Sequence, residues 1–125
     1  MNGKTILVID DDIMFTDMLA EVLRAEGATV EVVHTGAAGI TRAGVLRPDL
    51  ILCDVMMPSI RGTEVLKLVR ASEWGDGMPF ILLSNMSQPE IEEAGTGYTE
   101  CLLKTDHTLN EIAEKIKTVL AKQAG

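Results

Sequence analysis

Two short, wholly apolar runs in this chain each end in carboxylates. Residues 6–9 (Ile-Leu-Val-Ile) are followed by three aspartates at 10–12, and residues 50–53 (Leu-Ile-Leu-Cys) are followed by Asp54. Apolar runs of this length are typical of strands buried on both faces, as in parallel sheets covered by helices. The carboxyl ends of parallel strands lie at one edge of the sheet, where open α/β sheets place their functional groups. The sequence therefore predicts an acidic site at that edge.

Strand and helix patterns alternate along the chain. Strand patterns cover residues 5–10, 29–34, 50–54, 79–84 and 99–103, and helical patterns cover residues 13–25, 36–46, 63–71, 89–94 and 109–122. Five strands alternating with five helices predict a doubly wound α/β fold with a parallel sheet and right-handed crossovers. Because a chain of 125 residues suits one hydrophobic core, we expect residues 1–125 to form a single domain.

The helical patterns also predict which side chains face the core. Within residues 13–25 the helix should start after Asp12 as N-cap and end at Gly27. The third helix should have Thr63 near its N-cap. The apolar positions of the first helix follow the spacing of one buried face, and they are Met14, Met18, Leu19, Val22 and Leu23.

Charge and cysteine content restrict the partners and the compartment. The net charge of −8 argues against nucleic acid or an anionic membrane as the main partner, because both reward Lys and Arg. No apolar stretch reaches the roughly 20 residues of a membrane-spanning helix, and the N-terminus lacks a signal-peptide core. Cys53 and Cys101 lie in apolar runs and are interpreted as reduced core thiols. We therefore expect a cytoplasmic protein.

Polar residues lie at or directly after the carboxyl ends of four of the five strand patterns. They are the aspartates 10–12, Asp54, Ser84 and Lys104. Because parallel strands share one carboxyl edge, we expect these side chains to converge. Acids, a hydroxyl and an ammonium together suit phosphoryl transfer to a carboxylate nucleophile, with Mg²⁺ bridging the acids and the phosphoryl oxygens.

The order and spacing of these residues resemble the receiver domains of bacterial two-component response regulators. The resemblance extends over essentially the whole chain, and it rests on residues 8–12 (Val-Ile-Asp-Asp-Asp), residues 54–58 (Asp-Val-Met-Met-Pro), Gly62, Ser84 and Lys104. It implies a five-stranded flavodoxin-like sheet of strand order 2-1-3-4-5. It also implies a phosphorylation-switched signalling domain that is no enzyme beyond taking a phosphoryl group from a donor and slowly losing it.

The resemblance assigns a role to each residue of the expected site. Asp54 would be the phosphoacceptor and a metal ligand. Asp10 and Asp11 would form the acidic pair that holds Mg²⁺, with Asp11 the more direct ligand and the backbone carbonyl of Met56 a further one. Ser84 would be the switch hydroxyl and Lys104 the phosphate-binding lysine.

The resemblance also implies the partners. The phosphoryl donor would be a histidine kinase or a histidine phosphotransfer protein. A downstream protein would bind the face formed by residues 89–94, 99–103 and 109–122. Neither nucleic acid nor membrane is expected as a partner.

Several positions depart from the family pattern. Thr105 follows Lys104 where receivers usually carry proline after a cis bond, and Cys101 stands where they usually carry Tyr or Phe. A cis bond before a residue other than proline costs about 2.5–4 kcal/mol, so we expect a trans bond here. Met56 and Met86 occupy positions that tune the loss of the phosphoryl group, and neither side chain orients water. We therefore expect an unusual read-out of phosphorylation.

Other interpretations of the same residues stay open. The aspartates 10–12 also fit the start of haloacid-dehalogenase-type phosphatases, but only Asp106 follows the lysine where those enzymes need an acidic pair. A pseudo-receiver, an interaction module without a phosphorylation cycle, is favoured by Cys101 and disfavoured by the intact acids. Taken singly, Ser84 is typical of a turn and Lys104 of a solvated surface charge. The histidines lack partners at metal-ligand spacing and are interpreted as surface or strand-end residues, His34 and His107.

Overall fold

A five-stranded parallel sheet lies at the centre of the protein in the computed structural model, which describes residues 1–85 and 97–124. The strands, in chain order, are β1 (Thr5–Ile9), β2 (Thr29–Val33), β3 (Leu50–Asp54), β4 (Phe80–Ser84) and β5 (Glu100–Leu103). Their order in the sheet is β2-β1-β3-β4-β5, and every neighbouring pair is parallel. The predicted fold class and strand order are therefore confirmed, and each predicted strand boundary lies within one residue of the observed one.

Helices connect the strands and cover the sheet. They are α1 (Ile13–Ala25), α2 (Gly36–Leu46), α3 (Gly62–Ala71) and α4 (Leu109–Ala124), and a 3₁₀ turn at Lys104–Asp106 joins β5 to α4. The helix predicted at 89–94 lies outside the described residues. Within the described part of the chain, no helix is both long enough and apolar enough to cross a membrane.

The hydrophobic core has two layers, one on each face of the sheet. Alternation along β1 sends Ile6 and Val8 to the layer shared with α1 and α4, and Leu7 and Ile9 to the layer shared with α2 and α3. β1 and β3 are buried on both faces, as their continuous apolar runs predict. The sheet is therefore fixed from both sides, and its carboxyl edge is a rigid platform for polar side chains.

The buried face of α1 differs from the prediction at two positions. Leu19 and Leu23 are buried as expected, but Met14 is 74% exposed and Met18 is 48% exposed. Thr16 and Ala20 are buried in their place. Residues two positions apart on a helix point in nearly opposite directions. The small residues face the sheet and allow close packing, so both methionines turn outward.

The ends of the helices follow local backbone chemistry. Asp12 caps α1 as predicted, because its side chain accepts a hydrogen bond from the backbone N–H of Phe15 at 3.1 Å. Gly27, just beyond α1, has a φ of 94°, which favours glycine. Thr63 lies near the N-cap of α3, as predicted, but the N-cap itself is Arg61, which makes no side-chain capping bond. At the start of α3, the Gly62 N–H donates to the Val55 carbonyl at 2.9 Å.

Candidate functional site

The first and third strands bring two buried aspartates together. Ile9 of β1 pairs with Cys53 of β3, so Asp10 and Asp54 follow paired residues at the same sheet edge. Asp10 is fully buried and Asp54 is 3% exposed, whereas Asp11 is exposed. One carboxylate oxygen of each aspartate lies within 4.8 Å of those of the other two. The structure thus assembles three acidic oxygens at the edge that the sequence indicates.

Hydrogen bonds from backbone and side-chain groups hold Asp10 in place from several directions. Its N–H donates to the Val33 carbonyl at 3.1 Å. Its carboxylate Oδ1 accepts from the Asp12 N–H at 3.0 Å. Its carbonyl accepts from Nδ1 of His34 at 2.9 Å, which requires the tautomer protonated at Nδ1. His34 therefore supports the site from the end of β2, a role that the sequence alone did not indicate.

Lys104 extends from the end of β5 into this acidic pocket. Its Nζ lies 2.5 Å from Oδ2 of Asp10 and 3.8 Å from Oδ1 of Asp54. The side chain is only 8% exposed, so the single-residue interpretation of Lys104 as a solvated charge was wrong. The lysine side chain is long enough to extend past the ends of β4 and β3 and reach Asp10 at the end of β1.

Ser84 occupies the strand between Asp54 and Lys104. Asp54 pairs with Leu83, and Ser84 pairs with Leu103, the residue before the lysine. Ser84 is fully buried at the last position of β4, so it is a strand residue and not a turn residue.

The connection from β3 to α3 passes very close to Asp54. A Cβ placed on Gly62 would lie 2.1 Å from the Asp54 carbonyl oxygen, so only glycine fits at this position. Met56 is partly exposed, and its backbone N–H donates to the Asp54 carboxylate. The turn that carries the predicted residues 54–58 and Gly62 thus wraps around the aspartate.

The pocket is electrostatically crowded. Burial and the negative charge of Asp10 raise the pKa of Asp54 to about 7, against the lowering effect of Lys104. Oδ2 of Asp10 has the Lys104 ammonium as its donor at 2.5 Å. Oδ1 of Asp54 accepts no hydrogen bond from the described residues, because the same ammonium is 3.8 Å away. A buried acidic oxygen that lacks a donor fits a hard cation such as Mg²⁺.

Cys101 and Thr105 depart from the family pattern, and both lie in the described part of the chain. Both cysteines are free, Cys53 buried and Cys101 partly buried opposite Leu82. Burial raises the pKa of both thiols, which keeps them protonated and unreactive. The peptide bond between Lys104 and Thr105 is trans, as expected.

One aromatic residue at this site had no place in the sequence interpretation. The ammonium of Lys104 lies 4.4 Å from the centre of the Phe15 ring, on the first turn of α1. The sequence could have indicated Phe15 by its position three residues after the N-cap Asp12, because the first turn of α1 begins at the acidic edge.

The fold and this acidic pocket together define a flavodoxin-like α/β signalling module. Residues 6–117 match the model of the response regulator receiver domain. The chain therefore belongs to the receiver domain family of two-component response regulators.

Curated relatives with this domain are longer proteins. The DNA-binding response regulator MtrA of Mycolicibacterium paratuberculosis is 40% identical over 81 residues, which are 65% of this chain and 35% of MtrA. The probable transcriptional regulatory protein TcrX of Mycobacterium tuberculosis is 29% identical over 119 residues, which are 94% of this chain and 50% of TcrX. The matched part of the chain thus spans about a third to a half of the length of these relatives.

Solved structures share the whole fold. The chemotaxis response regulator CheY4 of Vibrio cholerae is 28% identical with a TM-score of 0.85, covering 93% of this chain and 98% of CheY4. A CheY-like receiver domain protein of Methanospirillum hungatei is 28% identical with a TM-score of 0.87, covering 97% of this chain and 96% of that protein. The strand order and the layers described above are therefore those of known receivers.

Proposed function

We propose that residues 1–125 act as one phosphorylation-switched receiver domain, with Asp54 as the phosphoacceptor. The observation that carries the proposal is the meeting of three acidic oxygens within 4.8 Å beside a buried lysine. A pair of carboxylates and an ammonium, kept from solvent at the carboxyl edge of a sheet, is an arrangement suited to phosphoryl transfer.

The proposed reaction uses the Asp54 carboxylate as a nucleophile. A carboxylate oxygen attacks the phosphorus of a phosphohistidine, the P–N bond breaks, and the imidazole leaves with the electron pair and takes up a proton. The product is an acyl phosphate on Asp54. Lys104, whose Nζ lies 3.8 Å from Oδ1 of Asp54, attracts the negative phosphoryl oxygens. Ser84, at the neighbouring strand end, supplies a hydroxyl for another of these oxygens.

The donor set of the pocket fits Mg²⁺. Asp10, Asp11 and Asp54 would hold the ion together with the backbone carbonyl of Met56. When bound, Mg²⁺ supplies positive charge that offsets the charge of the phosphoryl oxygens. Oδ1 of Asp54, which is buried and accepts no hydrogen bond from the described residues, supports this assignment.

We propose protein partners on two sides of the domain. A histidine kinase or a histidine phosphotransfer protein donates at the Asp54 edge, where the α1 side chains Ile13 and Met14 are exposed. A downstream protein binds β5 and α4; the third part of the expected face, residues 89–94, lies outside the described residues. This face carries a cavity of about 490 Å³ whose lining includes Glu100, His107, Glu111 and Val119.

We assign neither nucleic acid nor membrane contact to these residues. Their net charge of −8 opposes both. MtrA is named as DNA-binding, but this chain spans about a third of it. We also propose a cytoplasmic location, since the two free thiols fit a reducing compartment.

A pseudo-receiver is the second candidate, and Cys101 is the observation that favours it. The small thiol stands where the family usually carries an aromatic switch residue. In that case the fold would bind partners without taking up a phosphoryl group.

Phosphoryl uptake measured by intact mass separates the two candidates. Wild-type protein is incubated with Mg²⁺ and acetyl phosphate, with parallel samples in EDTA. We expect one added phosphoryl group on wild type with Mg²⁺ and none on Asp54→Asn. Equal uptake by Asp54→Asn would place the acceptor elsewhere. A folded wild type that stays unmodified would support the pseudo-receiver.

A further inference from the structure

Phe15 stands apart from the other aromatic residues of the chain. Trp74, Phe80 and Tyr98 all belong to or pack against the core layer on the α2 and α3 side of the sheet. Phe15 packs against the opposite layer, which α1 and α4 share, and its ring centre lies 4.4 Å from the Nζ of Lys104. Phe15 therefore brings the start of α1 into contact with the ammonium of Lys104 in the acidic pocket.

The ring of Phe15 is held where it is by the start of α1. The backbone N–H of Phe15 donates to Oδ1 of the N-cap Asp12 at 3.1 Å. Asp12 in turn donates its own N–H to Asp10. Since the side chain is partly buried against the core, the ring is fixed relative to Asp10 by both backbone and packing.

The ammonium of Lys104 needs such a contact more than an exposed lysine would. Its side chain is 8% exposed, so water compensates little of its charge. Its Nζ contacts Oδ2 of Asp10 at 2.5 Å, but Oδ1 of Asp54 is 3.8 Å away, which is too far for a hydrogen bond. An aromatic face attracts a cation electrostatically, and more strongly when the cation is desolvated. The ring also limits the directions in which a flexible lysine side chain can point.

We propose that Phe15 is a positioning residue that fixes the Lys104 ammonium in the carboxylate pocket, facing Asp54. The consequence for chemistry rests on the proposed function: a fixed ammonium meets the phosphoryl oxygens without first being reoriented. Phe15 touches no reacting atom and acts only through Lys104.

The position of the ammonium is tested by NMR, without any phosphoryl transfer. In protein with ¹³C-labelled lysine, the ε-methylene protons of Lys104 should be shifted upfield by the ring of Phe15. We expect Phe15→Leu to remove this shift and Phe15→Tyr to keep it. Phe80→Leu is the matched control, because it removes the other phenylalanine ring from the core layer across the sheet. An unchanged Lys104 signal in folded Phe15→Leu would overturn the proposal.

The effect on chemistry is tested by the rate of phosphoryl uptake from acetyl phosphate at saturating Mg²⁺. We expect Phe15→Leu to slow uptake by about fivefold, which corresponds to about 1 kcal/mol of cation–π interaction, and Phe15→Tyr to restore most of the rate. The substitution is repeated in a Lys104→Gln background. There Phe15→Leu should change the rate by less than about twofold, because the two residues act as a unit.

The outcomes separate this proposal from the proposed function. Equal slowing by Phe15→Leu in both backgrounds would show a merely structural role and overturn the positioning role. If wild type takes up no phosphoryl group, the proposed function fails, and the NMR signal of Lys104 alone decides whether Phe15 positions the ammonium. Loss of the upfield shift in Phe15→Leu, with retention in Phe15→Tyr and Phe80→Leu, supports the contact in either case.

Discussion

At the scale of single residues, the charges of the pocket are out of balance. Three carboxylates face one ammonium, so with all of them ionised the local charge equals −2. Burial of Asp10 and Asp54 keeps water from screening that charge. The raised pKa of Asp54 is the direct result, and a divalent cation has the charge that would neutralise the pocket.

The pH dependence of stability should reveal the free-energy cost of ionising the buried Asp54 carboxyl group. Its pKa of about 7 in the folded protein exceeds the ordinary value of 3.8, so the folded state binds the proton more tightly. In metal-free buffer this group therefore lowers stability progressively as pH rises from about 4 to about 7, by up to about 1.4 kcal/mol per pKa unit. We expect Asp54→Asn to be more stable than wild type at pH 7.5 and to lose that advantage toward pH 4. Urea unfolding in EDTA measures this, and a constant difference across the range would contradict it.

Asp11 should strengthen Mg²⁺ binding but destabilise the metal-free fold. It is exposed, and its charge helps to raise the pKa of Asp54. We expect Asp11→Asn to weaken Mg²⁺ binding by about tenfold or more, a loss that even outer partners of metal sites cause. Without metal, the relieved repulsion should raise the melting temperature slightly. Calorimetric titration and thermal melts in EDTA measure the two effects. A lower melting temperature would mean that Asp11 makes stabilising contacts that outweigh the repulsion.

At the scale of elements, the connection between β3 and α3 positions the acceptor. Gly62 donates its N–H to Val55 and leaves no room for a side chain beside the Asp54 carbonyl. A side chain here would collide with the backbone of Asp54 and Val55 at the start of the helix. The same connection carries the Met56 N–H that donates to the carboxylate. Glycine at position 62 is therefore needed both for the backbone of this connection and for the position of Asp54.

Substitution of Gly62 should disturb both stability and Asp54. In Gly62→Ala, the new Cβ would meet backbone at 2.1 Å, which cannot move as a flexible side chain would. We expect a loss of about 1–3 kcal/mol of stability, together with slower phosphoryl uptake. Gly77→Ala is the matched control, because nothing lies within 4 Å of a Cβ there. Denaturant unfolding of both variants checks this. Similar stability of the two would show that the turn relaxes easily.

At the scale of the whole molecule, the sheet links the acceptor to the face proposed for the downstream partner. β4 joins Asp54 on one side to β5 on the other, through the Asp54–Leu83 and Ser84–Leu103 pairs. In this chain β5 carries the small Cys101 where the family usually has an aromatic ring. A thiol that changes position displaces much less volume than a phenol, so the change in packing along β5 should be small.

Hydrogen exchange should show that phosphorylation reaches β5 only weakly. With and without a phosphoryl mimic, we expect altered exchange in residues 84–96 and little change in residues 99–103. The reason is that a modification shifts an equilibrium only by its differential interaction with the two states. Without the aromatic, that difference must come mainly from Ser84, Lys104 and the segment that follows β4. Asp54→Asn treated in the same way is the control. Strong and equal change in both segments would refute the uncoupling of β5.

The sequence by itself determined the sheet and the edge at which the site lies. The positions of the strands and of the described helices follow from local patterns. So does the meeting of Asp10 with Asp54, because every parallel strand delivers its last residue to the same edge. Asp12 as N-cap likewise depends only on residues three positions apart.

Only the tertiary structure decided how the side chains meet. The outward turn of Met14 and Met18 depends on the rotation of α1 about its axis, which the packing of Thr16 and Ala20 against the sheet sets. The burial of Lys104 depends on its reach across two strand ends. Its contact with Phe15 joins residues 89 positions apart in the sequence. The hydrophobic periodicity of a helix or strand cannot predict contacts between residues so far apart in the sequence, because these contacts form only when the layers pack together.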